Sequence, residues 1–196
     1  MTADRTLVLA HGAGAPMDSP FLRIVAQGVA ASGIRVARFE FPYMLRRRET
    51  GRRGVPDPPA VLVQSWRDAI GELGGPERLV IGGKSMGGRI ASLVADEAAV
   101  RGLVCLGYPF HPPGKPAKTR TEHLQRLTTP ALIVQGERDS FGGREEVPRY
   151  KLSREIRIAW IGDGDHSFKP RKSSGRTEAE NLREAIELVV SFVRRA

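Results

Sequence analysis

Apolar and polar residues follow a regular rhythm along this chain. Short, nearly continuous Val/Ile/Leu runs give way to longer stretches in which apolar residues recur every three or four positions. The runs fall at 6–10, 34–39, 78–83, 102–106, 131–135 and 156–161. Uninterrupted apolar runs of this length predict parallel strands buried on both faces. Between them, Phe21, Leu22, Val25 and Val29 share one face of a helix that Ser19-Pro20 can start and Gly33 can stop. Leu62, Trp66, Ala69, Ile70 and Leu73 repeat the pattern before Gly74-Gly75, and Met86, Ile90, Leu93 and Val94 mark a third helix. The last helix opens with a capping box, Thr177 and Glu180, ahead of Leu182, Ile186, Val189 and Val193. Six βα units in series predict an α/β fold, a doubly wound sheet of about six parallel strands flanked by helices. No repeat or long linker divides the chain, so residues 1–196 are expected to form one domain.

Two connections break the rhythm. Residues 40–58, EFPYMLRRRETGRRGVPDP, and 107–121, GYPFHPPGKPAKTRT, are rich in Pro, Gly and Arg and are read as long loops. Both follow strand C-termini, the edge at which open α/β sheets bind ligands. Long loops inside a compact domain are usually functional or mobile.

Composition narrows the setting. Hydrophobic residues make up 40% and charged residues 27% of 196, ordinary values for a globular chain of this size. The longest apolar runs are five or six residues, far short of the ~20 a membrane helix needs. The opening MTADRTLVLAHGAGA has an apolar core of only 7–10, too short for a signal peptide, and Asp4 lies ahead of it. The lone cysteine, Cys105 in GLVCLGY, excludes an internal disulfide and reads as a small buried hydrophobe. These features predict a cytoplasmic protein with no membrane partner.

The net charge of +9 raises the question of nucleic acid. The arginines are spread along the chain and are densest in RRRETGRRG, residues 46–54. No aromatic residues interleave with them, and neither zinc-ligand spacing nor a helix-turn-helix pattern is present, so no nucleic-acid partner is expected. The basic run is either a solvated, mobile loop or an electropositive rim that attracts anionic substrates.

The chemistry concentrates in LVIGGKSMGG, residues 79–88, which carries two overlapping signatures. Gly83-Lys84-Ser85 resembles the end of a phosphate-binding P-loop, but that loop needs glycine five positions before Gly83, where Arg78 stands. A dinucleotide reading of HGAGAPM, with Gly12, Gly14 and the later Glu40, is weakened because the third glycine position holds Met17. Gly83-Lys84-Ser85-Met86-Gly87 is instead a complete G-x-S-x-G between a strand and a helix, the turn that presents a serine nucleophile. Such a serine needs a base, an acid to orient the base, and donors for an oxyanion. ALIVQGERDSFGG places Asp139 just past the fifth strand, IAWIGDGDHSF places His166 past the sixth, and LVLAHGAGA supplies a glycine-rich loop after the first. The chain order Ser, Asp, His is that of the α/β-hydrolases.

On these residues the chain resembles small α/β-hydrolase-fold proteins of the dienelactone-hydrolase-like group. More narrowly, HGAGAPMDSPF, GGKSMGGRIAS, CLGYPFHPPGKP, TEHL, LIVQGERDSFG and GDHSFKPRK resemble the branch shared with testis-expressed and NSL-complex-subunit-3-like proteins. The resemblance implies a nucleophile at Ser85, an acid at Asp139 and a base at His166. It implies oxyanion N–H groups at Met86 and at Ala13 or its neighbours Gly12 and Gly14. Dienelactone hydrolases proper use cysteine, and the serine here puts their substrate in question. The fold's two leading strands have no counterpart, and no insertion is long enough for a cap domain, so a minimal α/β-hydrolase fold is expected.

Other residues carry two readings each. Tyr43, Tyr108 and Phe110, with Met44, are either apolar walls for an acyl group or loop anchors. His111 lies in the proline-rich loop at the catalytic edge and is read as a substrate contact or a structural group. His11 is read as a structural hydrogen-bonder, His123 as a surface residue, and Lys84 as a packing stem or an anion holder. Four dispersed histidines make no metal site, and no cofactor is expected. The expected function is a serine hydrolase acting on a small ester or thioester, an anionic one where the basic run serves as a rim. The alternative is a binding or scaffold protein that retains the fold without the activity, as the chromatin-complex relatives suggest.

Overall fold

The computed structural model describes residues 5–52 and 54–196; Asp4, weighed above against a leader, and Arg53, counted in the basic run, lie outside them. Strands β1 (Thr6–Ala10), β2 (Arg35–Phe39), β3 (Leu79–Lys84), β4 (Gly102–Leu106), β5 (Ala131–Gly136) and β6 (Ile156–Ile161) form one sheet. Its order is β2-β1-β3-β4-β5-β6 and every pairing is parallel. The order reverses between β1 and β3, the kind of switch point at whose C-terminal edge open α/β sheets bind ligands.

Helices α1 (Pro20–Ala30), α2 (Pro42–Thr50), α3 (Pro59–Glu72), α4 (Met86–Val94) and α5 (Glu178–Arg195) cover both faces. On one face Leu22, Val25 and Val29 of α1 and Leu182, Ala185, Val189 and Val193 of α5 pack on Leu7, Leu9, Val80, Val104 and Val134. On the other, Leu62, Trp66 and Ile70 of α3 and Ile90, Ala91 and Val94 of α4 pack on Val8, Ala10, Ile81, Leu103 and Ile133. Successive strand residues therefore serve opposite cores, which is why the strands read as unbroken apolar runs. The capping box of α5 is formed by Thr177 and Glu180. At α1 the Ser19 hydroxyl makes no capping bond; Pro20 occupies the first turn, and Gly33 (φ +81) ends the segment with its N–H on Ala30 O at 2.9 Å.

Several sequence expectations need correction. Residues 40–58 are not one loop, because 42–50 form α2. Pro42 starts this helix, Tyr43 and Met44 are buried, and Gly51 in the left-handed region (φ +68) ends it with its N–H on Arg47 O. One buried turn followed by charged residues gives no repeating apolar period. The connections after β4 and β5 carry no α-helix, only single 3-10 turns at His123–Gln125 and Val147–Arg149. Arg78 ends a 3-10 turn, Pro76–Arg78, rather than lying within the strand. Leu73 and Leu93, assigned to apolar helix faces, remain exposed.

In the described part of the basic run, Arg46, Arg47 and Arg48 each have a hydrogen-bond partner. Arg48 forms a bidentate pair with Glu40 (Nε–Oε2 2.6 Å, Nη2–Oε1 2.7 Å) and reaches Asp18 at 2.8 Å. Arg46 is bonded to Asp57, and Arg47 donates to Gly14 O at 3.3 Å. Acidic residues remote in sequence offset the charge that looked isolated in the chain. The 107–121 segment does remain irregular, and is tied at its base by Arg120 N–H on Phe110 O (2.7 Å) and Tyr108 Oη on Arg120 O (2.9 Å). Among the described residues no helix is long and apolar enough to cross a membrane, and no segment folds as a separate cap.

Candidate active site

Ser85 sits between β3 and α4 with φ +51 and ψ −114, a conformation a non-glycine residue adopts only under constraint. The constraint comes from both sides: Ser85 N–H extends the ladder to Leu106 O (3.0 Å), while Ser85 O accepts from Arg89 N–H (3.0 Å) as α4 begins. The turn lies tightly against β1. A Cβ on Gly83 would lie 2.1 Å from Ala10 O, and one on Gly87 2.4 Å from the same atom. Only glycine fits on either side of x-S-x. The Trp66 indole of α3 fixes the first turn of α4 through Gly87 O at 3.3 Å.

His166 Nε2 stands 2.8 Å from Ser85 Oγ, and its Nδ1 stands 2.7 Å from Asp139 Oδ2. An ionised carboxylate only accepts, so Nδ1 carries the proton and Nε2 is left to accept from the serine hydroxyl. Asp139, whose side chain is wholly enclosed, also accepts from Gln135 Nε2 (2.9 Å) on Oδ2 and from Phe141 N–H (2.8 Å) on Oδ1. Gln135 is itself immobilised, accepting from Tyr108 N–H (2.7 Å) and donating to Tyr108 O and Gly142 O. The Phe141 ring lies on the imidazole, centroids 4.2 Å apart. Sequence reasoning missed Gln135 and Phe141: one is the last polar residue of a buried strand, the other an aromatic two residues past the acid.

The loop after β1 is held by its carbonyls. Gly12 O accepts from His11 Nδ1 (2.7 Å) and Tyr43 Oη (3.3 Å), and Ala13 O from Tyr43 Oη (3.0 Å). In a planar trans peptide the following N–H points opposite to the carbonyl. With Gly12 O turned toward His11 and Tyr43, the Ala13 N–H is turned away from them. Gly12 backs directly on the elbow, since a Cβ there would lie 3.6 Å from Ser85 Cβ. Met86, the first residue of α4, has an N–H without an acceptor inside its own helix.

The remaining candidates are placed as follows. His11 is fully buried, and its Nε2 accepts from Phe41 N–H at 3.1 Å. Burial pushes its pKa below the ordinary histidine value, consistent with a neutral structural ring. Tyr43, Tyr108 and Phe110 are buried in the core and His111 is nearly so, which makes them loop anchors with no open face for an acyl group. His111 Nδ1 is on Pro112 O (2.7 Å), and Nε2 faces Glu146. His123 is not a free surface group: it is half-buried, with Nε2 2.8 Å from Ser92 Oγ. Lys84 does not face outward as an anion holder; its Nζ donates to His166 O at 2.6 Å. Gly14 is exposed, with open space where a side chain would be. Among the described residues no group of acidic, histidine or cysteine side chains has the arrangement of a metal site.

The sequence matches the alpha/beta hydrolase domain family over residues 3–194, nearly its whole length. The chain belongs to the alpha/beta hydrolase family. Among solved structures, this alpha/beta hydrolase is similar to an alpha-beta serine hydrolase homologue from Coxiella burnetii (21% identity, TM-score 0.71, covering 96% of this chain and 85% of that one). It is similar also to an a/b serine hydrolase without lid from Xanthomonas campestris (19% identity, TM-score 0.72, covering 98% and 83%). A third is Est1E from Butyrivibrio proteoclasticus (13% identity, TM-score 0.68, covering 100% and 87%). At these identities the likeness is one of fold, and it places this lid-less hydrolase sheet among those of other organisms.

Proposed function

We propose that the protein is a serine hydrolase that cleaves a small ester or thioester through an acyl-enzyme on Ser85. The observation that carries this reading is the unbroken chain Ser85 Oγ, His166 Nε2, His166 Nδ1, Asp139 Oδ2, with steps of 2.8 and 2.7 Å. In the first half-reaction Oγ attacks the carbonyl carbon while its proton passes to Nε2. The oxyanion is met by the N–H groups of Met86 and Ala13. The imidazolium then returns the proton to the leaving alcohol or thiol as the carbon–heteroatom bond breaks. In the second half-reaction water repeats the sequence and releases the acid and free Ser85. Asp139 stays ionised throughout and stabilises the imidazolium.

A carboxylesterase or thioesterase specificity suits a hydrolase sheet without a lid, with the Phe141 ring lying against the imidazole. The motif resemblance to the dienelactone-hydrolase-like branch supports a small acid component. Est1E, a fold neighbour, has been solved with ferulic acid bound, an example of a small carboxylic acid in a sheet of this kind. All of this is assigned to one domain comprising residues 1–196. The test is labelling by a fluorophosphonate probe, with turnover of a panel of nitrophenyl esters and acyl-thioesters by wild type and Ser85→Ala. Rapid labelling at Ser85 and a loss of turnover of roughly 10⁵–10⁶-fold in the variant are expected. A folded wild type that neither labels nor turns over any member of the panel would favour the scaffold alternative.

A further inference from the structure

Lys84 immediately precedes the nucleophile, yet its side chain works on the opposite partner of the pair. Nζ donates to the main-chain carbonyl of His166 at 2.6 Å. The contact passes over the end of β4, where Gly107 (φ +68) leaves room for it. A Cβ at Gly107 would lie 2.8 Å from Lys84 Nζ, 2.8 Å from His166 O and 3.3 Å from His166 Nδ1. The Phe21 ring of α1 closes another side, 5.4 Å from Nζ. The charged groups that face this ammonium are Asp139 and Asp165, with the His166 imidazole carried on the same loop as the carbonyl it holds.

The arrangement is costly for the fold. Burial is the dominant influence and lowers the lysine pKa to about 8 despite the attraction of Asp139 and Asp165. A desolvated ammonium is a poor stabiliser of a core. The imidazole, in turn, is held by hydrogen bonds at its two ring nitrogens, and the Lys84 contact fixes the main chain behind it. We propose that Lys84 is a positioning residue whose ammonium holds the His166 main chain so that the imidazole stays bridged between Ser85 and Asp139. The kinetic consequence rests on the hydrolase reading above; the positional consequence does not. A shift of ~1 Å in a catalytic group costs ~10²-fold in rate.

Charge on Lys84 affects activity and stability in opposite directions. As pH rises through about 8, the ammonium loses its proton, the contact with His166 O weakens and the attraction to Asp139 and Asp165 disappears, so kcat should fall. Between that pH and the ordinary lysine value of 10.5 the unfolded chain binds more protons than the folded one, so this group's contribution to stability rises with pH.

The experiment uses full-length wild type, Lys84→Met and Lys84→Arg. It compares kcat and KM for a neutral nitrophenyl ester across the range in which Lys84 titrates, the thermal midpoint, and the imidazole N–H proton resonance of His166. For Lys84→Met we expect kcat lowered ~10²-fold, KM little changed, the alkaline limb lost, the His166 resonance broadened by exchange, and a midpoint equal to or above wild type. Lys84→Arg should recover part of the rate and move the alkaline limb upward. A Lys84→Met protein with wild-type kcat, pH profile and resonance overturns the proposal, as does one that melts far below wild type, because the lysine would then hold the fold rather than the base. If wild type turns over no ester but the resonance is still lost in Lys84→Met, the hydrolase reading fails and the positioning role stands.

Discussion

His166 Nδ1 meets Asp139, 27 positions away in the chain, at 2.7 Å, while Asp165, its immediate neighbour, is turned to a different task. Asp165 Oδ1 accepts from the N–H groups of Ser167 (2.8 Å) and Lys169 (3.0 Å), closing the turn that carries the histidine. Asp163 accepts from Arg171 N–H (2.7 Å) and pairs with Arg138 (3.0 Å), bracing the same loop from outside. Of these three aspartates, Asp139 is the one that meets the imidazole. Asp139→Asn should lower kcat by ~10⁴-fold, since the amide no longer selects the Nδ1–H tautomer. Asp163→Asn and Asp165→Asn should cost stability and comparatively little in kcat. Steady-state rates on one ester decide it, and a crippled Asp165→Asn beside an active Asp139→Asn would reverse the assignment.

Tyr43 belongs to the helix that sequence periodicity passed over, yet it fixes the loop proposed to bind the oxyanion. Its hydroxyl spans Gly12 O and Ala13 O, and burial pushes its pKa up to about 12, so it remains a donor at any working pH. Tyr43→Phe keeps the buried ring and removes only the hydroxyl. Stability should fall by ~1 kcal/mol, while kcat should fall roughly tenfold, equivalent to ~1.4 kcal/mol of lost transition-state stabilisation. KM should change little, because the hydroxyl touches the loop rather than the substrate. An unchanged kcat would mean that the loop holds its shape without this contact.

The strands were legible because doubly buried strands read as apolar runs, and Ser85, Asp139 and His166, which the structure brings into hydrogen-bond contact, each follow such a run. What the sequence hid depends on partners distant along the chain. Nothing near Arg48 announces Asp18 or Glu40, so the basic run looked unpaired. Nothing in 42–50 repeats often enough to show α2, whose buried face is a single turn of Tyr43 and Met44. Gln135 read as a strand residue, although its amide joins β5 to the Asp139 turn and to Tyr108. Tyr108 and Phe110 stayed open between pocket walls and loop anchors because sequence shows that they follow β4, but not that they face inward.

The Arg48–Glu40–Asp18 cluster should govern acid stability rather than substrate choice. Burial raises the Glu40 pKa, but the Arg48 bond and the Met17 N–H outweigh it and hold the carboxyl below its ordinary 4.5. Asp18 is lowered first by its hydrogen bond to Arg48. With folded values depressed, the unfolded chain takes up protons first. The stabilisation is therefore complete above the unfolded values and is lost as pH falls through the folded ones. Arg48→Gln should flatten the acid side of a plot of thermal midpoint against pH. Arg46→Gln and Arg48→Gln should lower kcat/KM for acidic and neutral esters alike. A selective loss on acidic esters that shrinks with added salt would restore the electropositive-rim reading.

Gly87 and Gly12 both lie where the end of β1 meets the Ser85 turn, but a methyl group meets different surroundings at each. At Gly87 the added carbon would collide with Ala10 O at 2.4 Å and His11 O at 2.7 Å, both main-chain atoms that cannot rotate away. Gly87→Ala must push α4 off β1, and should destabilise the fold by ~1–3 kcal/mol or more. At Gly12 the nearest atoms, Lys84 Cγ, Lys84 O and Ser85 Cβ, are all 3.6 Å away, an ordinary contact distance. Gly12→Ala should therefore fold with a near-normal thermal midpoint. Its methyl would nevertheless rest against Ser85 and crowd the space between it and the Ala13 N–H proposed to bind the oxyanion. Turnover should then drop roughly tenfold or more from misplacement of the reacting carbonyl. Melting curves and ester kinetics on the two variants separate the effects: a stable, fully active Gly12→Ala would show that the first loop does not border the reacting group.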